Sequence, residues 1–317
     1  MSKSVRGKID FEVLIDESFL NIVTDSTITP IDKKHVLSLI NDFEDGNWRY
    51  KKFQSFIWDN ITETALSLKE RESLIDKSHS SLALAAKKLR LTDLSGDQRT
   101  QGSELAEIVL YGIMKHYYKA LPVVPKIFHK QNAQDNAKGS DSVHIVLEGE
   151  NDFSLWLGEA KFYNSIEDDR LGEVVDSIEE ALNSDKLKKE NSIITNILEL
   201  EEYLSDKPYL KNKIKSLLNS DTSIDLLKPK LHIPILLLHE CPITEKQNII
   251  SDNYIKELTE FHKLRAESYF KKQIKKISTS VFKYSEIHFH IILFPVPKKE
   301  PIVTKFVSNV THFKNDN

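Results

Sequence analysis

GSDSVHIVLEGENDFSLWLGEAKFY, residues 139–163, reads as two apolar runs joined by a tight polar turn. The first run, Val143 to Leu147, is rich in β-branched residues, and the second, Phe153 to Leu157, carries Phe, Leu and Trp at short range, so both read as strands. Glu148 to Asp152 closes them into a hairpin. Side chains alternate faces along a strand, so Glu159 and Lys161 point the same way, about 7 Å apart for a rise of ~3.3 Å per residue. Pairing of the two runs allows Asp141 to stand opposite them.

Carboxylates on neighbouring strands form an oxygen-rich site suited to Mg²⁺, a hard cation that keeps several waters and takes one or two protein carboxylates beside a substrate phosphate. A bound metal would polarise the phosphate and acidify a water, while Lys161 would orient or deprotonate that water and offset charge growing on the phosphorus centre. The flanking carboxylates should keep Lys161 protonated until metal and substrate bind. Glu-any-Lys occurs once in the chain, and Asp-any-Lys once, at Asp32 to Lys34. The latter follows Pro30 in what reads as a helix start, where an acidic residue is an ordinary choice. The alternative for Glu159 and Lys161 is a salt bridge ending an edge-strand hairpin.

Upstream, GSELAEIVLYGIMKHYY at 102–118 places Leu105, Ile108, Val109, Ile113 and Met114 at helical spacing with Ser103 available as N-cap, and so predicts an amphipathic helix. Glu104 and Glu107 share one face near its N-terminus, where the helix dipole favours anions. Capping and solvation of the first turn is the competing account of both.

The order of elements, an acidic helix, a strand bearing Asp141, a strand ending in Glu159-Ala160-Lys161 and then a helix, resembles the PD-(D/E)xK, or restriction-endonuclease-like, nucleases. More narrowly, the Glu104 to Glu107 helix, the Gly139-Ser140-Asp141-Ser142-Val143-His144 approach and Leu157-Gly158-Glu159-Ala160-Lys161-Phe162-Tyr163 resemble the HamA family of the bacterial Hachiman anti-phage systems, over about residues 80–240. The resemblance implies a mixed-sheet α/β nuclease core. It implies Asp141 and Glu159 as ligands of Mg²⁺, or of Mn²⁺ in its place, with the Ala160 carbonyl as a third oxygen. Lys161 becomes the catalytic lysine and Glu107 or Glu104 the auxiliary acid. It also implies a HamB-like superfamily 2 helicase as partner and DNA as substrate, with cleavage restrained until the helicase acts. No proline precedes Asp141, a departure that this superfamily often shows.

At 317 residues the chain is long enough for one large domain or two modest ones. We expect an α-rich region with an early strand over 1–100 and a nuclease-like domain over 101–317, its core at about 101–240 and a helix and strand extension at 241–317. Cys241 is the only cysteine, which excludes an intrachain disulfide and fits a reducing compartment. In HIPILLLHECP it reads as a buried strand-end residue. The polar start MSKSVRGKID lacks a signal peptide, and no apolar run reaches the ~20 residues that cross a membrane, so a soluble cytoplasmic protein is expected. A net charge of −4 argues against coating DNA by bulk electrostatics. Lys186, Lys188 and Lys189, then Lys271, Lys272, Lys275 and Lys276, then Lys298 and Lys299 form local basic runs, which either grip phosphate or are solvated helix faces.

Elsewhere, residues 10–16 read as an early strand, 31–91 as several helices with Trp48 and Trp58 packing, and 122–129 as a short β-like segment. The polar stretch QNAQDNAKGS after it reads as a loop able to close over the site. Helices are expected over 167–204, 208–219 and about 246–278, and strands at Leu231 to His239 and Glu286 to Phe294, the former buried on both faces. His288 and His290 share a strand face and, lacking a third ligand, read as a polar or partner-facing surface rather than a zinc site. His144 should face away from the carboxylates. Asp168, Asp169 and Arg170 read as the cap of the next helix, with an approach to DNA as the alternative. Two further classes compete with the metal-dependent DNA nuclease: an inactive nuclease-fold subunit that docks a helicase or grips DNA, and an RNA-cleaving toxin-like effector.

Overall fold

The computed structural model describes residues 7–91, 102–129, 140–195 and 198–315. The polar loop expected after residue 130 lies outside the described residues apart from Ser140, as does Gly139. The chain runs through β1 (Glu12–Ser18), β2 (Lys34–Ile40), a small hairpin of β3 (Phe43–Glu44) and β4 (Asn47–Trp48), then helices α1 (Tyr50–Ala65), α2 (Leu68–Ser73) and α3 (Ser78–Lys88). Next come α4 (Ser103–His116), β5 (Leu121–Val124), α5 (Lys126–His129), β6 (Ser142–Leu147) and β7 (Phe153–Tyr163). Helices α6 (Asp168–Ala181), α7 (Ser184–Thr195), α8 (Leu198–Tyr203), α9 (Pro208–Leu218) and α10 (Ile224–Leu227) lead to β8 (Leu231–Glu240). The chain ends with α11 (Pro242–Glu245), α12 (Asp252–Ile277), β9 (His288–Val296) and α13 (Lys299–Asn315).

Seven strands form one mixed sheet in the order β1-β2-β9-β8-β7-β6-β5. The central four, β2, β9, β8 and β7, are mutually parallel, and antiparallel neighbours flank them on both sides. Parallel strands are stable when both faces are covered, and both are here. Alternate residues such as Leu155, Ile233, Ile235 and Ile291 pack under α6, α7, α9 and α12. Their neighbours Trp156, Leu236, Leu238 and Ile292 pack under α1, α3, α4 and α13. The near-continuous apolar run of β8 therefore serves two cores. Strand β9, from the C-terminal stretch, lies between β2 and β8, so residues on both sides of position 100 share the sheet.

Strands β1, β8 and β9 and helices α6, α7, α9 and α12 fall where the sequence predicts them, and the turn after β6 closes as expected, with Glu148 N–H donating to the Asp152 carbonyl at 2.8 Å. Residues 31–48 do not. The helix start read at Asp32 to Lys34 is the approach to β2, which pairs in parallel with β9, His35 opposite His290. Every residue of β2 but His35 is buried, so no alternation advertises a strand, and the pairing with β9 overrides the local reading. Trp48 is buried, and Trp58 packs 5.1 Å from the Phe313 ring. Cys241 is buried directly after β8. Among the described residues no helix is long and apolar enough to cross a membrane.

Helix α4 lies close against α1 because Gly112 carries no side chain: a Cβ there would sit 2.5 Å from Phe56 Cζ and 2.9 Å from Asn60 Nδ2. Asn60 is fully buried and tied to the Phe56 carbonyl, so it has little room to yield. The gain in helix propensity from Gly112→Ala is at most about 1 kcal/mol, whereas overpacking costs about 1–3 kcal/mol. Urea unfolding of Gly112→Ala should therefore show a net loss of stability; a gain would mean that α1 and α4 separate without penalty.

Candidate functional site

Asp141 stands on the bend just before β6 and is fixed there by backbone pairing. Its N–H donates to the Gly158 carbonyl at 2.8 Å, and its Oδ2 accepts from the Ala160 N–H at 3.0 Å. The regular antiparallel ladder of β6 and β7 ends at Ser142 opposite Gly158, and Asp141 sits on the irregular step just beyond it, near enough for its charge to act on both Glu159 and Lys161. The structure thus brings Asp141, Glu159 and Lys161 together. Gly158 makes the close passage possible: a Cβ would collide with Ser142 Oγ and lie 2.8 Å from Leu110 Cδ2 on α4.

Alternation along β7 directs Glu159 and Lys161 to the face covered by α6 and α12, with Leu157 and Tyr163. The Lys161 ammonium lies 2.6 Å from Glu159 Oε1, and Ser177 Oγ on α6 donates to the same oxygen at 2.6 Å. Glu159 is 7% exposed, whereas the Lys161 side chain is 31% exposed, so the centre opens to solvent over the lysine. At its rim the Arg170 guanidinium stands 5.5 Å over the Tyr163 ring and makes two bonds to Glu173 at 2.8 and 2.9 Å.

Burial pushes the Glu159 carboxyl above its ordinary range, and the neighbouring Asp141 adds to the rise; Lys161 and Ser177 offset part of it. Burial also works against the charge on Lys161, but the Glu159 and Asp141 carboxylates outweigh it and hold the ammonium well above its usual range. Among the described residues no three His, Cys, Asp or Glu side chains gather as a ready-made cage. A hard cation that keeps several waters does not need one, and the paired carboxylates, one of them buried, suit Mg²⁺ or Mn²⁺.

The helix glutamates are placed differently. Both oxygens of Glu104 accept backbone N–H groups, Arg90 and Leu91 at 2.9 Å each, so this carboxylate ties the end of α3 to α4. Glu107 is 6% exposed on α4, which packs on the sheet face opposite Glu159, over Trp156, Ala160 and Phe162. Ser103, expected as N-cap, is the first helical residue; Gly102 is the cap at φ 92°, where a Cβ would lie 3.1 Å from Phe162 and from Val303.

Other sequence expectations sort as follows. His144 faces away from the carboxylates, wholly buried 5.2 Å from the Tyr111 ring, and burial pulls its pKa down to about 3. His290 is not a surface group: it is buried and stacked 4.4 Å from Trp156, with its Nε2 at 2.9 Å from His232 Nδ1. Asp168 does not cap α6; it accepts from Ser268 at 2.7 Å and pairs with Arg265 at 3.1 Å, fastening α6 to α12. Three of the four lysines in the α12 basic run are engaged likewise, Lys271 on Asp25, Lys272 on Asp168 and Lys276 on Asp176 and Glu179. Lys299 is buried and donates to the Phe162 carbonyl at 2.8 Å.

Ser177, Lys126 and Glu190 escaped the sequence reading. Glu190 on α7 accepts from the Ser140 N–H at 3.1 Å and is paired with the Lys126 ammonium at 2.6 Å. A signal for Glu190 existed, because it lies on the apolar side of its helix with Leu187 and Ile194 three and four residues away. Ser177 carries none, since only the fold brings it to Glu159.

Lys161→Met removes an offset to the elevated Glu159 pKa and should raise it further, read by carbon-detected titration of labelled glutamate carboxyls. A raised carboxyl pKa contributes stability below its unfolded value and loses it as pH climbs through the folded one. Lys161→Met should therefore lose stability relative to the native protein as pH rises from the ordinary glutamate range toward neutrality. A Glu159 pKa that stays put would show that Lys161 does not act on it.

A model of the HamA family matches residues 17–310. No curated protein matches the chain. Matched over nearly its whole length, and so associated with Hachiman antiviral defence, the chain belongs to the HamA family.

Proposed function

We propose that the chain is a metal-dependent deoxyribonuclease that hydrolyses DNA phosphodiesters in anti-phage defence, acts in the cytoplasm, and is restrained until a HamB-like superfamily 2 helicase delivers it to DNA. The observation that carries this reading is the gathering of Asp141, bonded to the Ala160 amide, with the buried Glu159 carboxylate and the Lys161 ammonium 2.6 Å from it. The order α4, β6 with Asp141 before it, β7 with Glu159-Ala160-Lys161, then α6, supports a PD-(D/E)xK core at about residues 101–240. On this reading residues 1–100 and 241–317 build around that core, and β2 and β9 extend its sheet.

Asp141 and Glu159 would hold the cation, with the Ala160 carbonyl as a third oxygen. When bound, Mg²⁺ supplies Lewis-acid polarisation of the phosphate and a more acidic water. The chain's own groups do the rest. Lys161, held protonated, orients the attacking water and offsets the negative charge that grows on the phosphate oxygens. Ser177 keeps the Glu159 oxygen turned toward Lys161. Of the two helix glutamates, Glu104 is committed to the Arg90 and Leu91 amides and Glu107 lies with α4 on the sheet face opposite Glu159, so on this reading the centre works through Asp141, Glu159 and Lys161.

The pairing of Lys271, Lys272 and Lys276 and the net charge of −4 weaken phosphate attraction along that helix, which favours delivery of DNA by a partner over capture from solution. The same observation favours the second reading, a docking subunit without cleavage. DNA degradation by the purified protein, alone and with its helicase and ATP, separates the two. Cleavage should require Mg²⁺, stop with EDTA, and fall by ~100-fold or more in Glu159→Ala and Lys161→Ala while folding and helicase binding persist. Absence of metal-dependent cleavage with helicase present gives the docking reading.

A further inference from the structure

We propose that Glu190, with Lys126 as its counter-charge, is a positioning residue that sets Asp141 for metal binding; the inference rests on the nuclease reading of the Asp141 and Glu159 centre. Asp141 lies outside the regular ladder of β6, so its place depends on the bend that carries it. Three of the bonds that hold that bend are Asp141 N–H to the Gly158 carbonyl, Ala160 N–H to Asp141 Oδ2, and Ser140 N–H to Glu190 Oε1. The first two come from β7. The third comes from α7, fifty positions along the chain from Ser140.

Packing alone does not hold Ser140. A small cavity lies beside it, lined also by Glu159, Ile178, Leu182 and Leu187, so on that side the bend has incomplete apolar contact. Glu190 is 4% exposed, and its carboxylate receives Lys126 Nζ at 2.8 and 2.6 Å on its two oxygens, with Lys126 also 4% exposed. Burying such a pair stabilises a fold no better than an apolar pair of the same volume, and often worse. What this pair adds that an apolar one would lack is a fixed, charge-balanced acceptor aimed at the Ser140 amide. Removing a residue that orients a metal ligand through hydrogen bonds weakens metal binding about 10- to 100-fold.

Two double variants isolate that acceptor. Lys126→Met/Glu190→Gln and Lys126→Met/Glu190→Leu are both uncharged and similar in volume, and they differ in whether position 190 accepts from Ser140. The probes are Mn²⁺ binding by electron paramagnetic resonance, exchange of the Ala160 amide by NMR, and thermal unfolding, all on the full chain. The glutamine pair should stay within about threefold of the native Mn²⁺ affinity. The leucine pair should bind Mn²⁺ ~10-fold or more weakly and exchange the Ala160 proton faster, at equal or higher thermal stability. Native Mn²⁺ affinity and native Ala160 protection in the leucine pair would overturn the proposal and leave Glu190 as half of a folding ion pair. If the native protein itself binds no Mn²⁺, the nuclease reading fails separately, and Ala160 exchange still decides whether Glu190 sets Asp141. Should the leucine pair not fold, Lys126→Met/Glu190→Thr, too short to reach Ser140, is read by the same criteria.

Discussion

The register of β6 against β7 is the constraint on which the candidate centre depends. A slip of one residue would send Glu159 and Lys161 into the core under α4 and bring Trp156, Ala160 and Phe162 out under α6. Two features prevent it. The turn fixes Leu147 opposite Phe153 at one end, and at the other Gly158 is the residue able to lie across from Ser142 beneath Leu110. Any other residue at 158 would push Ser142 or α4 away and shift Asp141, whose amide is bonded to the Gly158 carbonyl.

That register also divides the sheet into two chemically distinct faces. Under α1, α3, α4 and α13 lie aromatic and apolar groups, with the stacked Trp156, His232 and His290 where the parallel strands begin. Under α6 and α12 lie the titrating groups of the centre, and the ion pairs from Asp168, Asp176 and Glu179 to α12 hold that cover in place. Exposed ion pairs contribute little stability singly. As a row between α6 and α12 they fix the relative position of the helices, and with it the place of Ser177 over Glu159.

How much of this was legible depended on the range of the interactions. The hairpin, α4 and the juxtaposition of Asp141, Glu159 and Lys161 follow from alternation and a tight turn, which are local. Strand β2 is not legible in the sequence because burial on both faces erases alternation and its partner residues on β9 lie 255 positions away. Lys271, Lys272 and Lys276 look like part of an open basic face in sequence, since the carboxylates that pair with them sit on a loop after β1 and on α6. Glu190 was visible only as a charge on an apolar helix side, and Ser177 not at all, because each gains its meaning from a partner that the fold supplies.

The charge balance of the centre gives these placements a common logic. Counted over the three side chains alone, two carboxylates against one ammonium leave a single negative charge, half sheltered from water. Burial and Asp141 together raise the Glu159 pKa, so as pH falls this centre takes up a proton sooner than an exposed carboxylate would. In the nuclease reading a divalent cation would convert one net negative charge into one net positive charge, and the single negative charge of a phosphodiester would then neutralise it. Had Lys161 been neutral, the empty site would hold a second uncancelled charge and Glu159 would hold its proton more tightly. A second cation would instead leave nothing to attract the metal. In the nuclease reading, the Glu-Ala-Lys spacing on one strand thus balances the charge that folding must bury against the charge that would attract a metal.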